Sequence, residues 1–446
     1  MRLKNWFIRN LDDIQREVII ESIDKNIIVQ GPAGSGKTNL AIHRALQAKG
    51  KGTYAIVIMT PALKRMIAYG MNELGLDIER IAYAWAWYNR GFDLYGDVFY
   101  RKGPNGGIDK SVLYLVNGDS VRKFIFIQRS GLPQNSNGQF FGIDFADWVE
   151  YQYYSTWGRR VSWYKESTTD NIDFSIENPN FHLLPSGTLY KPMRSDEKID
   201  YLIIDEAQDF KIGEYKDKII PKSGKSISLL GDSNQKMNPL GTSIQVLKSS
   251  FPEYKAYDLK YNYRLPKTIA RVAQKINPQN ADLVSNNLKN NGNSDYPFFP
   301  KPVLKRCATS EDEIKWIANL IQNEAMDDVA ILVKDKYSVQ NVIKLLSENG
   351  ISKVQTFYRT SQTVPYHTIN TLDFSNNDLP CILDFFAAKG SEFDKVFIPF
   401  AHLITEIDYR DFYVACTRAS EMLYISYSGT KPSVLNNIDN NDIIEL

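Results

Sequence analysis

The 446 residues carry 53 Lys+Arg against 52 Asp+Glu, a formal charge of +1, and 43% of them are hydrophobic. That balance excludes a mainly disordered chain, a collagen-like fibre and a disulfide-stapled miniprotein; at ~150 residues per domain it predicts about three compact units. No apolar run approaches the ~18–20 residues that span a bilayer. The start, Met1-Arg2-Leu3-Lys4-Asn5-Trp6, lacks the apolar core of a secretory signal. Three widely spaced cysteines, Cys307, Cys381 and Cys416, read as reduced thiols, so a cytoplasmic protein with no membrane partner is expected.

In chain order, the first clear unit is Asn26-Ile27-Ile28-Val29-Gln30, an apolar run rich in β-branched residues. It feeds Gly31-Pro32-Ala33-Gly34-Ser35-Gly36-Lys37-Thr38 and then a helical stretch from Asn39 to Gln47: strand, glycine-rich turn, helix. Tyr54 to Met59 predicts a second strand, buried on both faces as in a parallel sheet. From about Tyr88 to Met193 the texture changes to scattered aromatics, glycines and prolines with little helical period, an irregular insert. Strands resume at Tyr201–Ile204 and Ile227–Leu230. Ser285–Ser294 reads as a solvated Asn-rich connector. Further strands follow at Val329–Val333, Val396–Ile398 and Met422–Ser426, and Asn436–Asp442 reads as a frayed tail. Alternating strand and helix in both halves predicts an α/β fold with two mostly parallel sheets.

The run from Gly31 to Thr38 matches the phosphate-binding loop. Its glycines (Gly31, Gly34, Gly36) and Ser35 let backbone N–H groups turn toward a polyphosphate. Lys37 would neutralise the β- and γ-phosphates of ATP, Thr38 would ligate Mg²⁺, and the helix starting there adds its positive end. Asp205 and Glu206 follow an apolar strand, where ligands bind in open α/β sheets. The expected division is Asp205 on Mg²⁺ and Glu206 activating water.

Asp205-Glu206-Ala207-Gln208-Asp209 resembles the second motif of superfamily 1 helicases of the UvrD/Rep/PcrA type, with the phosphate loop as the first. The resemblance continues in family order and implies residue roles. Gln15, in Leu11–Arg16, would read the adenine edge. Gln235, in Gly231–Gln235, would sense the γ-phosphate. In Asn262-Tyr263-Arg264, Tyr263 would stack on adenine and Arg264 reach the γ-phosphate. Glu392, in Lys389–Phe393, would lie near the ribose, and Arg418, in Tyr413–Ala419, would be a second γ-phosphate contact. It implies two RecA-like domains, 1–87 with 194–260 and 261–446, the first interrupted by an accessory insert at 88–193. It also implies an ATPase that moves along single-stranded nucleic acid, DNA favoured, usually 3′ to 5′.

The sequence departs from that family in three places. Lys236–Leu240 carries none of the base-stacking aromatics that continue the third motif. Asp384 and Phe386 stand where Thr and His precede the fifth. The large second-half insert is essentially absent between Val333 and Lys389. Thr60 matches a phosphate-contacting position, and Tyr83, Trp85 and Trp87 alternate just beyond it, so these four are the candidate nucleic-acid contacts. In the insert, Tyr151, Tyr153, Tyr154, Trp157, Arg159, Arg160, Trp163 and Tyr164 interleave aromatics with arginine, which suits a single-strand groove and a protein-binding surface equally. The leading expectation is an ATP-driven motor. Its rival is a nucleotide-gated sensor that signals to a protein partner through the insert, such as a nuclease in genome maintenance or anti-phage defence. A nucleotide kinase is the minor third.

Overall fold

A computed structural model describes residues 11–83, 92–94, 96–103, 105–117, 119–127, 148–155, 158–167, 174–184, 188–191, 197–276, 283–287, 299–359, 368–373 and 376–446. They form two compact units. One comprises Met1–Asp77, Lys198–Tyr358 and Asn370–Leu446; the other comprises Ile78–Glu197 and Arg359–Ile369.

The first unit holds two parallel-sheet lobes, the RecA-like pair expected. In the first lobe the strands run in the order Lys255–Asp258, Ile27–Gln30, Ser223–Gly231, Ile199–Ile204, Tyr54–Ile58, all parallel. Tyr54–Ile58 is buried at every position. That is why its sequence shows a continuous apolar run rather than alternation: helices cover both faces of a parallel sheet. Helix Lys37–Ala48 follows the first strand and helix Pro61–Glu73 follows the second. Thr60 caps the latter, its hydroxyl accepting the N–H of Leu63 at 3.3 Å.

The second lobe is also parallel, ordered Gln355–Arg359, Cys381–Asp384, Val329–Val333, Phe393–Ile398, Ala419–Ser428, Val303–Cys307, Ile444–Glu445. Helices Ser310–Asn323 and Lys336–Glu348 bury Ile314, Ile317, Val339, Val342 and Leu346 against Ile331, Val333 and Phe397. The chain end is not frayed. Ile438 and Ile443 are buried, the Lys275 ammonium binds Asp439 and Asp442, and Ile444 pairs with Val303. Isoleucines spaced between the polar residues hold the segment down. Within the Asn-rich connector, the described Asn287 is buried and its amide donates to Leu265 O at 2.6 Å, so that part is anchored rather than solvated.

In the second unit the expectation of irregular structure gives way to an antiparallel sheet. Its order is Phe181–Leu183, Asp97–Lys102, Ile108–Asn117, Ser120–Phe126, Gly158–Glu166, Trp148–Ser155, Thr188–Lys191, Phe92–Asp93. Leu113, Leu115, Phe124, Val149, Tyr164 and Leu189 build a core, while Tyr114, between two of them in sequence, joins Phe99 and Phe181 in a second cluster. Apolar residues on both faces erase the period of two that would announce a strand. Among the described residues no helix is long and apolar enough to cross a membrane.

Candidate functional site

The glycine-rich turn adopts backbone conformations that few side chains tolerate. Gly34 and Gly36 have φ of 74° and 84°, and a Cβ at Gly34 would collide with the side chains of Asn262 and Arg264. The turn thus passes directly beneath the segment that carries Arg264; Tyr263 N–H donates to Gly34 O at 3.0 Å. Lys37 is buried, and its ammonium donates to the carbonyls of Gly31 and Pro32, both at 2.9 Å. Burial pulls its pKa down against the opposing carboxylates of Asp232, Glu206 and Asp205.

At the end of strand Ile199–Ile204, Asp205 accepts the Thr38 hydroxyl at 2.7 Å. Burial and then the neighbouring Glu206 charge push the Asp205 carboxyl up to about 6. Glu206 itself has a left-handed backbone, φ 57°, a strained conformation for a residue with a Cβ. Its carboxylate receives the Gln208 amide at 2.5 Å and faces the Lys389 ammonium at 3.5 Å. Burial raises its pKa, but Lys389 and Lys37 outweigh that and hold it below the ordinary glutamate value. Two adjacent carboxyls thus shift in opposite directions, the arrangement expected when one binds metal and the other takes a proton.

The second lobe closes the site. Arg418 is 1% exposed; its guanidinium donates to the carbonyls of Val414 (2.9 Å) and Ser391 (3.2 Å) and to Gln235 Oε1 (3.2 Å). Gln235 in turn donates to Asp232 at 3.0 Å. Burial and then the nearby Arg264 lower the Arg418 pKa to about 9, which leaves it charged at neutral pH. Arg264 lies 3.7 Å from Glu392, and its buried Nε has no hydrogen-bond partner. Together Gly34, Ser35, Gly36, Lys37, Thr38, Glu206, Gln235, Tyr263, Arg264, Glu392 and Arg418 line one open cleft of about 770 Å³.

Gln15 and Thr60 lie elsewhere than expected. Gln15 is buried and does not line the cleft. Its amide donates to Ser35 O at 3.0 Å and its Oε1 accepts the Asp12 N–H at 3.0 Å, so it braces the loop instead of presenting an edge to a base. Tyr263 does line it, with its hydroxyl on Asp12 at 2.6 Å. The Thr60 hydroxyl, expected on a nucleic-acid phosphate, is buried and donates to Lys389 O at 3.0 Å, tying the lobes together. Tyr83 ends strand Ile81–Tyr83; Trp85 and Trp87 lie outside the described residues.

Sequence reasoning quoted Asp209 and Lys389 within motifs but gave them no role. Lys389 is fully buried, its ammonium bound to the Asp209 carboxylate and to Gln235 O (2.6 Å) across the lobe junction. A lysine set in Ala387-Ala388-Lys389-Gly390, with no polar neighbour in sequence, is the signal that it is buried and paired.

The model of an AAA domain matches residues 15–239, and that of the UvrD-like helicase C-terminal domain matches residues 257–379. The crystal structure of the C-terminal domain of a possible DNA helicase from Lactobacillus plantarum WCFS1 is similar at 19% identity, covering 41% of this chain and 98% of that one, with a TM-score of 0.30. No curated protein matches the chain. The two domain matches, spanning the loop, the carboxylate pair and the onset of the second lobe, make this chain a member of the UvrD-like superfamily 1 helicases.

Proposed function

We propose that the chain hydrolyses ATP in this cleft and uses lobe opening and closure to move on or remodel single-stranded nucleic acid, with DNA favoured and 3′–5′ polarity. The observation that carries the reading is that Lys37 and Glu206 of one lobe and Arg264 and Arg418 of the other line the same cleft. Phosphoryl transfer spreads charge over the γ-phosphate oxygens, and arginines brought from a second lobe make that stabilisation depend on closure. Buried Ser35 Oγ and Arg264 Nε, which have no hydrogen-bond partners, fit a polyphosphate. In this assignment Lys37 and the loop hold the phosphates, Glu206 takes the proton of water, Gln235 reports the γ-phosphate to Arg418, Tyr263 stacks on the base and Glu392 lies by the ribose.

The donor set fits Mg²⁺. Thr38 and Asp205 offer hard oxygens side by side, and among the described residues no group of three or more His, Cys, Asp or Glu could hold a metal alone. Such a site needs phosphate oxygens and water to complete it, which suits Mg²⁺. Bound there, the ion would neutralise charge on the transferring phosphoryl group. Because Asp205 is protonated below about pH 6 and the metal needs its carboxylate, the gain in nucleotide affinity on adding Mg²⁺ should be full above that pH. It should shrink by up to ~10-fold per pH unit below it. Fluorescent-nucleotide titrations with and without Mg²⁺ at several pH values measure this; a constant gain down to pH 5 would remove Asp205 from the metal site.

Arg418→Ala is expected to lower turnover by ~10³-fold or more while changing nucleotide affinity far less. Arg418→Lys should restore little, since a lysine cannot reach the two carbonyls and Gln235 together. Steady-state ATPase with and without a single-stranded oligonucleotide tests the function as a whole, and stimulation at low salt is the expected result. The sensor reading draws on the second unit, which has its own hydrophobic cores and so offers a self-contained surface to a protein. An oligonucleotide-insensitive ATPase would favour it.

A further inference from the structure

We propose that one face of the antiparallel sheet in the second unit is a binding surface for single-stranded nucleic acid. The inference rests on the proposed action on single strands and names where this unit would take hold of one. Register brings the residues together. Val112, Ile125, Lys165 and Trp148 form one row across four strands; Lys123 lies opposite Tyr114 in the next row, Trp163 opposite Glu150, and Tyr154 opposite Arg159. Arg159, Trp163 and Lys165 occupy alternating positions of strand Gly158–Glu166, and Lys123 and Ile125 alternate on the strand beside it. All share one face by strand parity.

The other face is occupied. It carries the core of Leu113, Phe124, Val149 and Tyr164, and its cation, Arg122, is bound by Glu166 at 2.6 Å and by Glu79. On the proposed face Lys165 is exposed and Ile125 is 46% exposed, and Lys123, Arg159 and Lys165 stand against the single carboxylate of Glu150. The chain as a whole is neutral at +1, so a local excess of cations interleaved with Trp163 and Tyr154 is a departure from its average. Cations spaced among flat rings along extended strands suit a phosphate backbone and stacked bases, and call for no particular sequence.

The test uses the full chain and a fluorescent oligothymidine, with anisotropy recorded across a salt series. Lys123→Gln with Lys165→Gln should weaken binding at low salt by about tenfold. It should also flatten the slope of log K against log salt by about 1.4, at ~0.7 per phosphate contact on a single strand. Trp163→Ala should weaken binding by about tenfold with the slope unchanged. Lys123→Arg with Lys165→Arg should retain wild-type slope, and oligonucleotide-free ATPase and nucleotide affinity should be unchanged in all variants, which reports on folding. If wild-type and Gln variants bind with equal affinity and slope, the proposal is overturned while the motor reading stands. If wild-type chain neither binds the oligonucleotide nor responds to it in ATPase, the motor reading falls and takes this surface with it.

Discussion

Glu206→Gln is expected to bind Mg·ATP at near wild-type affinity and to lose ~10²–10⁴-fold in single-turnover hydrolysis, the contribution of a positioned general base. Affinity survives because Lys37, the loop amides, Thr38 and Asp205 are untouched. Stability should fall by about 1–3 kcal/mol, since the new amide can turn a second donor toward the Gln208 amide or the Lys389 ammonium, where the carboxylate accepted. The pH profile separates Glu206 from its neighbour. Lys389 and Lys37 hold Glu206 below the ordinary glutamate range, whereas Asp205 titrates near 6. An acid limb near pH 6 in the wild type therefore belongs to Asp205 and should move down with excess Mg²⁺. Loss of activity through Glu206 should begin only below pH 4.5. Normal turnover in Glu206→Gln would show that another group activates water.

The same pair bears on stability. Asp205 has a folded pKa raised from 3.8 to about 6, so the native state binds more protons than the unfolded chain between those values. Its contribution is present below about pH 4 and is lost as pH rises through 6. Glu206 has the opposite sign: its contribution is present above its unfolded pKa and disappears as pH falls through its lowered folded value. Mg²⁺ should offset the first by binding the ionised carboxylate.

Much of the first unit was legible because local sequence and tertiary context agree. Ile27–Gln30 and Tyr54–Ile58 are continuous apolar runs, and they are the buried strands of a parallel sheet. Gly34 and Gly36 occur where the backbone turns left-handed. The second-lobe arginines were legible only through resemblance, since nothing local distinguishes Arg264 or Arg418 from a surface residue. Gln15 was misplaced because a glutamine near a nucleotide loop can satisfy a base or the loop itself, and a capping box with Asp12 fixes it on the loop. The second unit was illegible for a different reason: Tyr114 and Leu113 are both buried, on opposite faces, so neither a period of two nor 3.6 survives.

Least legible was Lys389, whose partners lie 180 and 154 residues away, and Lys389→Ala is expected to be the most damaging single change outside the phosphate contacts. Burial disfavours its charge, yet Asp209 and Glu206 outweigh that and hold its pKa above the ordinary lysine value. Removing the ammonium leaves the Asp209 carboxylate buried with no counter-charge, at a cost of about 3–5 kcal/mol. Asp209, whose pKa burial already raises, should then take up a proton. Adding Asp209→Asn should therefore recover much of the lost stability in a denaturant melt. It should not recover turnover. Glu206 would still lack the cation that does most to keep it ionised, and Gln235 O would still lack its donor, so the link from the second lobe to water and γ-phosphate stays cut. The acid limb of the double variant should also rise toward the ordinary glutamate value. Were Lys389→Ala to melt with the wild type and keep its pH profile, the buried ammonium would be a bystander and coupling between the lobes would have to run through Arg418 and Gln235 alone.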